Sequence, residues 1–245
     1  HTRSMQRTLF AILVVLLNVQ PSLQVRDGSV RNEFACSHST VFAATRGDAK
    51  AQFNLGLCYH AGDASFDHDT DKALQWMERA AEQGFSLAQY HVALMFDQRN
   101  AIDHANTWYH EAANNGHANS QFNLGINYKD GIGVKQNERE SHSWFEAAAE
   151  QGHIDAAFIC ARHYGKGIGV KQNMSIAFNF FRVAAEGGHE KAQFNVAMFY
   201  HRGLGVEIDI RAAFRWYRMA ADSGNVGAQA NMQGLIREYP YLLDS

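Results

Sequence analysis

The chain is poor in residues that interrupt helices or cross-link them. Its 245 residues include two prolines, Pro21 and Pro240. Both lie outside residues 47–238, so that stretch is free to be helical throughout. Three cysteines are too few for a disulfide framework. Cys58 and Cys160 fall on the same kind of helix about three repeats apart, so their sulfurs should lie tens of ångströms from each other. They read as small buried hydrophobes, while Cys36 sits in an irregular stretch and is open to being free. A formal charge of −3 and a pI near 6.5 leave no basic excess. That argues against nucleic acid as a partner, because phosphate binding needs clustered Lys and Arg. The apolar run Leu9–Leu17 is too short to span a bilayer. Neither H-E-x-x-H nor G-x-S-x-G occurs.

What is present is a period. Gly47, Gly84, Gly116, Gly152, Gly188 and Gly224 are spaced by 37, 32, 36, 36 and 36 residues. Four residues after each comes a small side chain: Ala51, Ala88, Ser120, Ala156, Ala192 and Ala228. Twelve after the first five comes an aromatic: Tyr59, Phe96, Tyr128, Tyr164 and Tyr200. Each of those blocks ends in an Ala-Ala pair, from Ala80–Ala81 to Ala220–Ala221. A fixed period of this size signals stacked supersecondary units. In the fifth block Ala192, Val196 and Tyr200 follow helical spacing, and Gly203 and Gly205 permit a tight turn. Asp209 is positioned to cap a second helix carrying Ala213, Trp216, Tyr217, Ala220 and Ala221. Each block is therefore helix, turn, helix. Gly56, Ala93, Gly125, Ala161 and Ala197 share the ninth position after the glycine, where a small side chain lets helices approach closely.

These residues resemble the Sel-one-like repeat, a relative of the tetratricopeptide repeat. The third block carries the resemblance in Leu124, Gly125, Tyr128, Gly131, Gly133, Val134, Trp144, Phe145, Ala148 and Ala149; the fourth carries it in Tyr164, Gly167, Gly169, Val170, Ala177, Ala184 and Ala185. In the first block Asp69, Lys72, Ala73 and Trp76 match. The second block lacks four residues and the glycine turn, so a shortened turn is expected there. The resemblance implies an all-α fold, a right-handed α-α superhelix (solenoid) of helix-turn-helix repeats. It also implies a protein-binding adaptor, often of the secretory pathway or a bacterial extracytoplasmic space. β-Lactam binding attributed to some relatives keeps a hydrolase as a remote alternative.

The ends differ from the repeats. Residues 1–25 join a charged start, a short apolar run and the breakers Asn18, Gln20 and Pro21. This matches a secretory signal, although no clean cleavage pattern follows, and an N-terminal capping helix is the other reading. His1 to Ser4 precede a plausible initiator, Met5. Residues 26–46 read as a degenerate capping half-repeat, 47–223 as five repeats and 224–245 as a capping helix with a tail. Tyr239-Pro240-Tyr241-Leu242-Leu243 either covers the last helix or recruits another copy. If the chain is secreted in a eukaryote, Asn173-Met174-Ser175 is a glycosylation sequon.

No catalytic or metal site emerges, and no cofactor is expected. The string Gly-Ile-Gly-Val-Lys-Gln-Asn at 131–137 and 167–173 lacks the pattern and preceding strand of a phosphate cradle, leaving Lys135 and Lys171 as solvated turn residues. Asp67, Asp69, Asp71 and Glu78 imitate part of a calcium loop, but Lys72 stands where the sharp turn needs glycine. Capping by Asp69 is the preferred reading. His117, His153 and His189 are one repeat apart, too far for one zinc ion, and read as turn residues. The remaining candidate is a ligand face on the first helix of each block, at positions 7, 11 and 14 after the glycine. It comprises Asn54, His91, Met95, Asn123, Asn127, Asp130, His163, Lys166, Asn195, Phe199 and Arg202, with Asn231 continuing the row. Asn both donates and accepts, so a row of Asn suits an extended peptide backbone. The same Asn could instead bond the neighbouring repeat. The expected partner is a protein or peptide segment.

Overall fold

The computed structural model describes residues 36–62 and 66–244, with side chains to Leu242. Residues 1–25, read above as a leader, lie outside the described residues, as do residues 26–35 of the expected half-repeat. Every regular element among the described residues is helical. In order these are α1 His38–Thr45, α2 Ala49–Ala61, α3 Thr70–Glu82, α4 Ser86–Gln98, α5 Ile102–Asn114, α6 Ala118–Asp130, α7 Glu138–Glu150, α8 Ile154–Lys166, α9 Met174–Glu186, α10 Glu190–Arg202, α11 Ile210–Asp222, α12 Val226–Glu238 and a 3-10 turn, Pro240–Asp244. The described residues fall into two compact units, one ending at Asn115 and the other beginning at Gly116. The tandem helix-turn-helix fold read from the period is the fold observed, with hairpins packed in serial order within each unit.

Helix starts follow local chemistry. Asp48, Asp69, Asn137, Asn173, Asp209 and Asn225 each accept a first-turn amide at the N-cap. Capping by Asp69 and Asp209 is thus as expected from sequence. His117, His153 and His189 do the same with Nδ1, from Ser120 N at 3.3 Å, Ala156 N at 3.2 Å and Ala192 N at 3.2 Å. A ring nitrogen accepts only when it carries no proton, so each of these caps needs a neutral imidazole. The His153 ring stacks on Phe122 and the His189 ring on Phe158, with centroids 4.3 and 4.1 Å apart. The turn residues expected from sequence are therefore helix caps, and His153 and His189 also wedge their repeats against the previous one.

Each long turn is closed the same way. The amides of Asp69, Asn137, Asn173 and Asp209 bond the carbonyls of Tyr59, Tyr128, Tyr164 and Tyr200 at 2.9–3.1 Å. Gln136 and Gln172 bond the carbonyls of Lys129 and Gly165 at 2.9 and 2.8 Å. This explains the repeated string, while Lys135 and Lys171 are exposed. Gly169 has φ +66°, and a Cβ there would overlap the backbone of Glu138. Gly205, φ +68°, stands in the same relation to Met174 and Ser175. These second turn glycines permit the turn and also let it rest on the preceding hairpin. The short turn of the second block is Arg99-Asn100-Ala101, with Asn100 at φ 59°.

Between hairpins the packing is apolar and close. Unit one centres on Phe53, Leu74, Met77, Val92 and Met95, and unit two on Phe145, Phe181, Val196, Phe199, Phe214 and Tyr217. A Cβ on Gly125 would fall 2.6 Å from the Phe145 ring, which is why the ninth position is small. A polar ladder runs beside these cores. Gln52 and Gln89 donate to the carbonyls of Ala44 and Ala81 at 3.2 and 3.1 Å. They accept from Gln83 and Asn115 at 2.7 and 2.9 Å. In unit two Gln151 donates to Gln121 at 2.6 Å. The fourth block has Ala157 and Gly187 at these two positions, so both rungs are lost together.

The disulfide is a correction. Cys36 and Cys58 are bonded, with Cα atoms 5.8 Å apart. α1 packs Ala44 against Ala51 and Leu55, and this brings the irregular segment before it alongside α2. Cys160 is free and fully buried, and burial pushes its thiol pKa up.

Candidate partner-binding faces

The first helices of the repeats, α2 and α4 in unit one and α6, α8, α10 and α12 in unit two, share one register. A helix turns about 100° per residue. Positions 3, 7, 10 and 14 after the glycine therefore fall on one stripe, and position 11 lies about 40° beyond position 7. The structure divides the candidate residues along that line. Asn54 and His91 in unit one, and Asn123, Asn127, Asn195 and Asn231 in unit two, are half-buried; Asp130, Lys166 and Arg202 are exposed. Met95, His163 and Phe199 are 7, 5 and 5% exposed. Phe199 packs on Phe178 and Phe181, and Met95 joins the unit-one core. At position 58 the side chain is spent on the disulfide. Position 11 is thus buried against the second helices in four of the five blocks, with Asn127 its half-buried exception, and the accessible stripe is positions 3, 7, 10 and 14.

Position 10 was missed in the sequence. It holds Leu57 and Leu94 in unit one and Ile126, Arg162 and Met198 in unit two; the aliphatic residues among them are half-buried and Arg162 is exposed. Lys191, at position 3 of its block, is exposed beside them. The helical wheel offered no signal here, because positions 10 and 11 lie about 50° to either side of the midpoint of positions 7 and 14; only packing against the second helices separates them.

The asparagines are not equivalent. Asn195 donates to the Lys191 carbonyl one turn back at 2.6 Å, and Asn231 lies near the Tyr217 hydroxyl, which is 3.5 Å from His201 Nδ1. Asn54 and Asn123 make no side-chain hydrogen bond among the described residues. Their amides keep full capacity for an incoming backbone. Asp130 pairs with Lys129 at 3.4 Å. Asn173 is exposed, and its Oδ1 caps α9 through Ile176 N at 3.1 Å, leaving the amide nitrogen clear.

Beneath the unit-two face lies a group of titratable side chains. The His142 and His163 rings are 5.5 Å apart. Tyr164 donates to Glu146 at 2.6 Å, and His142 Nε2 lies 3.8 Å from the same carboxylate. Burial lowers the pKa of both histidines, that of His163 to about 4 with His142 adding to the shift. Both rings are neutral at pH 7. A second grouping sets His117 Nδ1 3.0 Å from Ser120 Oγ. Ser120, His142 and His163 are 0–5% exposed, whereas Glu146, Tyr164 and His117 are half-buried. Asp69 and Asp71, singled out for calcium, are engaged in the α3 cap and in an ion pair with Arg99 at 2.7 Å. Among the described residues no group of three or more His, Cys, Asp or Glu is placed to hold a metal ion. None of the described helices is long and apolar enough to cross a membrane.

Five consecutive segments, residues 49–85, 86–117, 118–153, 154–189 and 190–225, match the Sel1 repeat family profile. A protective antigen of uropathogenic Escherichia coli with an SLR fold superposes with TM-score 0.73 at 28% identity, covering 81% of this chain and 43% of that one. A Sel1 repeat protein from Oxalobacter formigenes gives 0.68 at 31%, covering 80% and 58%. Among curated proteins, the chain is 32% identical to the ERAD-associated E3 ubiquitin-protein ligase component HRD3B of Arabidopsis thaliana, over 41% of this chain and 16% of the relative. It is 36% identical to chitin synthase regulatory factor 4 of Schizosaccharomyces pombe, over 31% and 12%, and 32% identical to DAP3-binding cell death enhancer 1 of Rattus norvegicus, over 40% and 27%. The chain thus spans about a quarter or less of the length of these curated relatives.

Proposed function

The chain belongs to the Sel1 repeat family, and from that premise we propose that it is a non-catalytic adaptor holding a peptide or protein segment along the stripe of its first helices. The observation that carries this reading is Asn123. It is half-buried, without an internal hydrogen bond, and one turn from the half-buried aliphatic Ile126. An extended backbone needs an amide that can both donate and accept, with apolar surface beside it. The names of the curated relatives describe association with, or regulation of, other proteins, in line with this role. The test is partner capture with Asn123→Ala and Asn195→Ala. Recovery should fall for both variants, and more for Asn123→Ala, whose amide has no competing bond. Undiminished recovery would remove the stripe from the proposal.

The proposal places the chain in the secretory pathway or an extracytoplasmic space. The Cys36–Cys58 bond supports this, because disulfides persist in oxidising compartments, as does the leader-like run at residues 9–17. A glycan on Asn173 is compatible with its exposed capping geometry. The end of the array favours capping over self-association: Leu242 and Leu235 are buried together, while Gln229, Gln233 and Arg237 on α12 are exposed. Light scattering should give the same mass with and without residues 239–245, and a fall in mass on truncation would restore the self-associating reading.

A further inference from the structure

We infer that the α8–α10 part of the stripe takes an extended acidic segment of a partner protein. This rests on the adaptor reading above and specifies its ligand. Two neighbouring first helices carry Arg162, Lys166, Lys191 and Arg202 on the shared register, all exposed. None of the four enters an ion pair among the described residues. Of the carboxylates nearest in register, Asp130 pairs with Lys129 at 3.4 Å, and Asp155, at position 3 of its block, lies 3.8 Å from His189 Nε2 with no Lys or Arg partner among the described residues, so this part of the stripe sets four cations against one exposed carboxylate. The starts of α8 and α10 lie side by side through the contact of Phe158 with His189.

Four like charges on adjacent parallel helices repel one another, and an anionic ligand relieves that repulsion. Ile159 and Met198 lie half-buried on the same stripe and give it apolar surface between the cations. A phosphodiester strand has no use for such a floor, whereas a peptide with aliphatic side chains between its carboxylates has. Directly packed helices are about 10 Å apart, close to three residues of extended chain, and this is the least that separates α8 from α10. Carboxylates three or more residues apart would therefore reach both helices.

The test pans a random peptide library on the full chain and on a double variant, Arg162→Glu with Arg202→Glu. Both sites are exposed, and a circular-dichroism melt checks that the variant folds. Wild-type selections should enrich Asp and Glu, with enriched peptides losing about ten-fold or more in affinity when their acids become amides. The double variant should lose that enrichment and select Lys and Arg instead. Enrichment of peptides without acidic residues, weakened by Asn123→Ala, would refute the acidic ligand and keep the adaptor reading. No enrichment of any peptide would refute both. Preference for single-stranded oligonucleotide over the enriched peptides would overturn the inference in favour of nucleic acid.

Discussion

Two glycines in one turn separate the cost of a backbone conformation from the cost of a repeat contact. Gly167 and Gly169 have φ +74° and +66°, so alanine at either position meets the left-handed penalty of about 1–2 kcal/mol. Alanine also restricts the unfolded chain, which returns about 0.4–1 kcal/mol. At Gly167 the nearest atom to a new Cβ is 3.5 Å away, an ordinary contact, so Gly167→Ala should cost about 1 kcal/mol. At Gly169 the new Cβ would lie 2.6 Å from the Glu138 carbonyl carbon and closer still to its oxygen. Backbone cannot rotate away as a side chain can, so the turn must lift off α7 by about 1 Å. Forced overpacking of this kind costs about 1–3 kcal/mol. The total for Gly169→Ala is then about 2–4 kcal/mol. Urea unfolding followed by far-UV circular dichroism resolves the two variants, because they share chemistry, turn and backbone region. Costs agreeing within about 0.5 kcal/mol would refute the claim that Gly169 is required by contact between repeats.

Acid should weaken the protein through its histidine caps. Burial lowers the His117 pKa from 6.5 to about 4 and also lowers that of His153, so the unfolded chain binds more protons across that interval. The stabilisation is whole above about pH 6.5 and drains away as pH falls to about 4, amounting to at most about 3 kcal/mol for His117. Replacing His153 by Asn, the cap used at Asn225, should flatten part of the slope in denaturant titrations at stepped pH; an unaltered slope would exclude the cap as its source. Thiol labelling of the native chain should find no reactive cysteine, denaturation alone should expose Cys160, and reduction should add Cys36 and Cys58. The bonded pair is separated by 22 residues, and Cys36→Ser should lower stability by roughly 3 kcal/mol on the chain-entropy account; labelling of Cys58 in the unreduced native chain would refute the pairing. Asn100, at φ 59° in the short turn, should gain a few tenths of a kcal/mol on change to Gly and lose about 1 kcal/mol on change to Ala, both read from melting temperature.

The period alone determined a great deal. Helical hairpins, their serial order, the caps at Asp69 and Asp209, the small ninth position and the shortened turn of the second block all follow from local chemistry. They are decided by residues within one or two turns of each other. Tertiary packing decided the rest. Whether position 11 or position 10 faces outward depends on how the second helix leans against the first, and buried Met95 and Phe199 beside half-buried Ile126 and Met198 show where that boundary falls. Cys36 meets Cys58 because α1 docks on α2 through Ala44 and Leu55, a contact no spacing rule encodes. The glutamine ladder has the same origin: Gln52 finds Gln83 across 31 residues. Periodicity sets the direction of a side chain about its own helix axis, and only the neighbouring helix determines what that side chain meets.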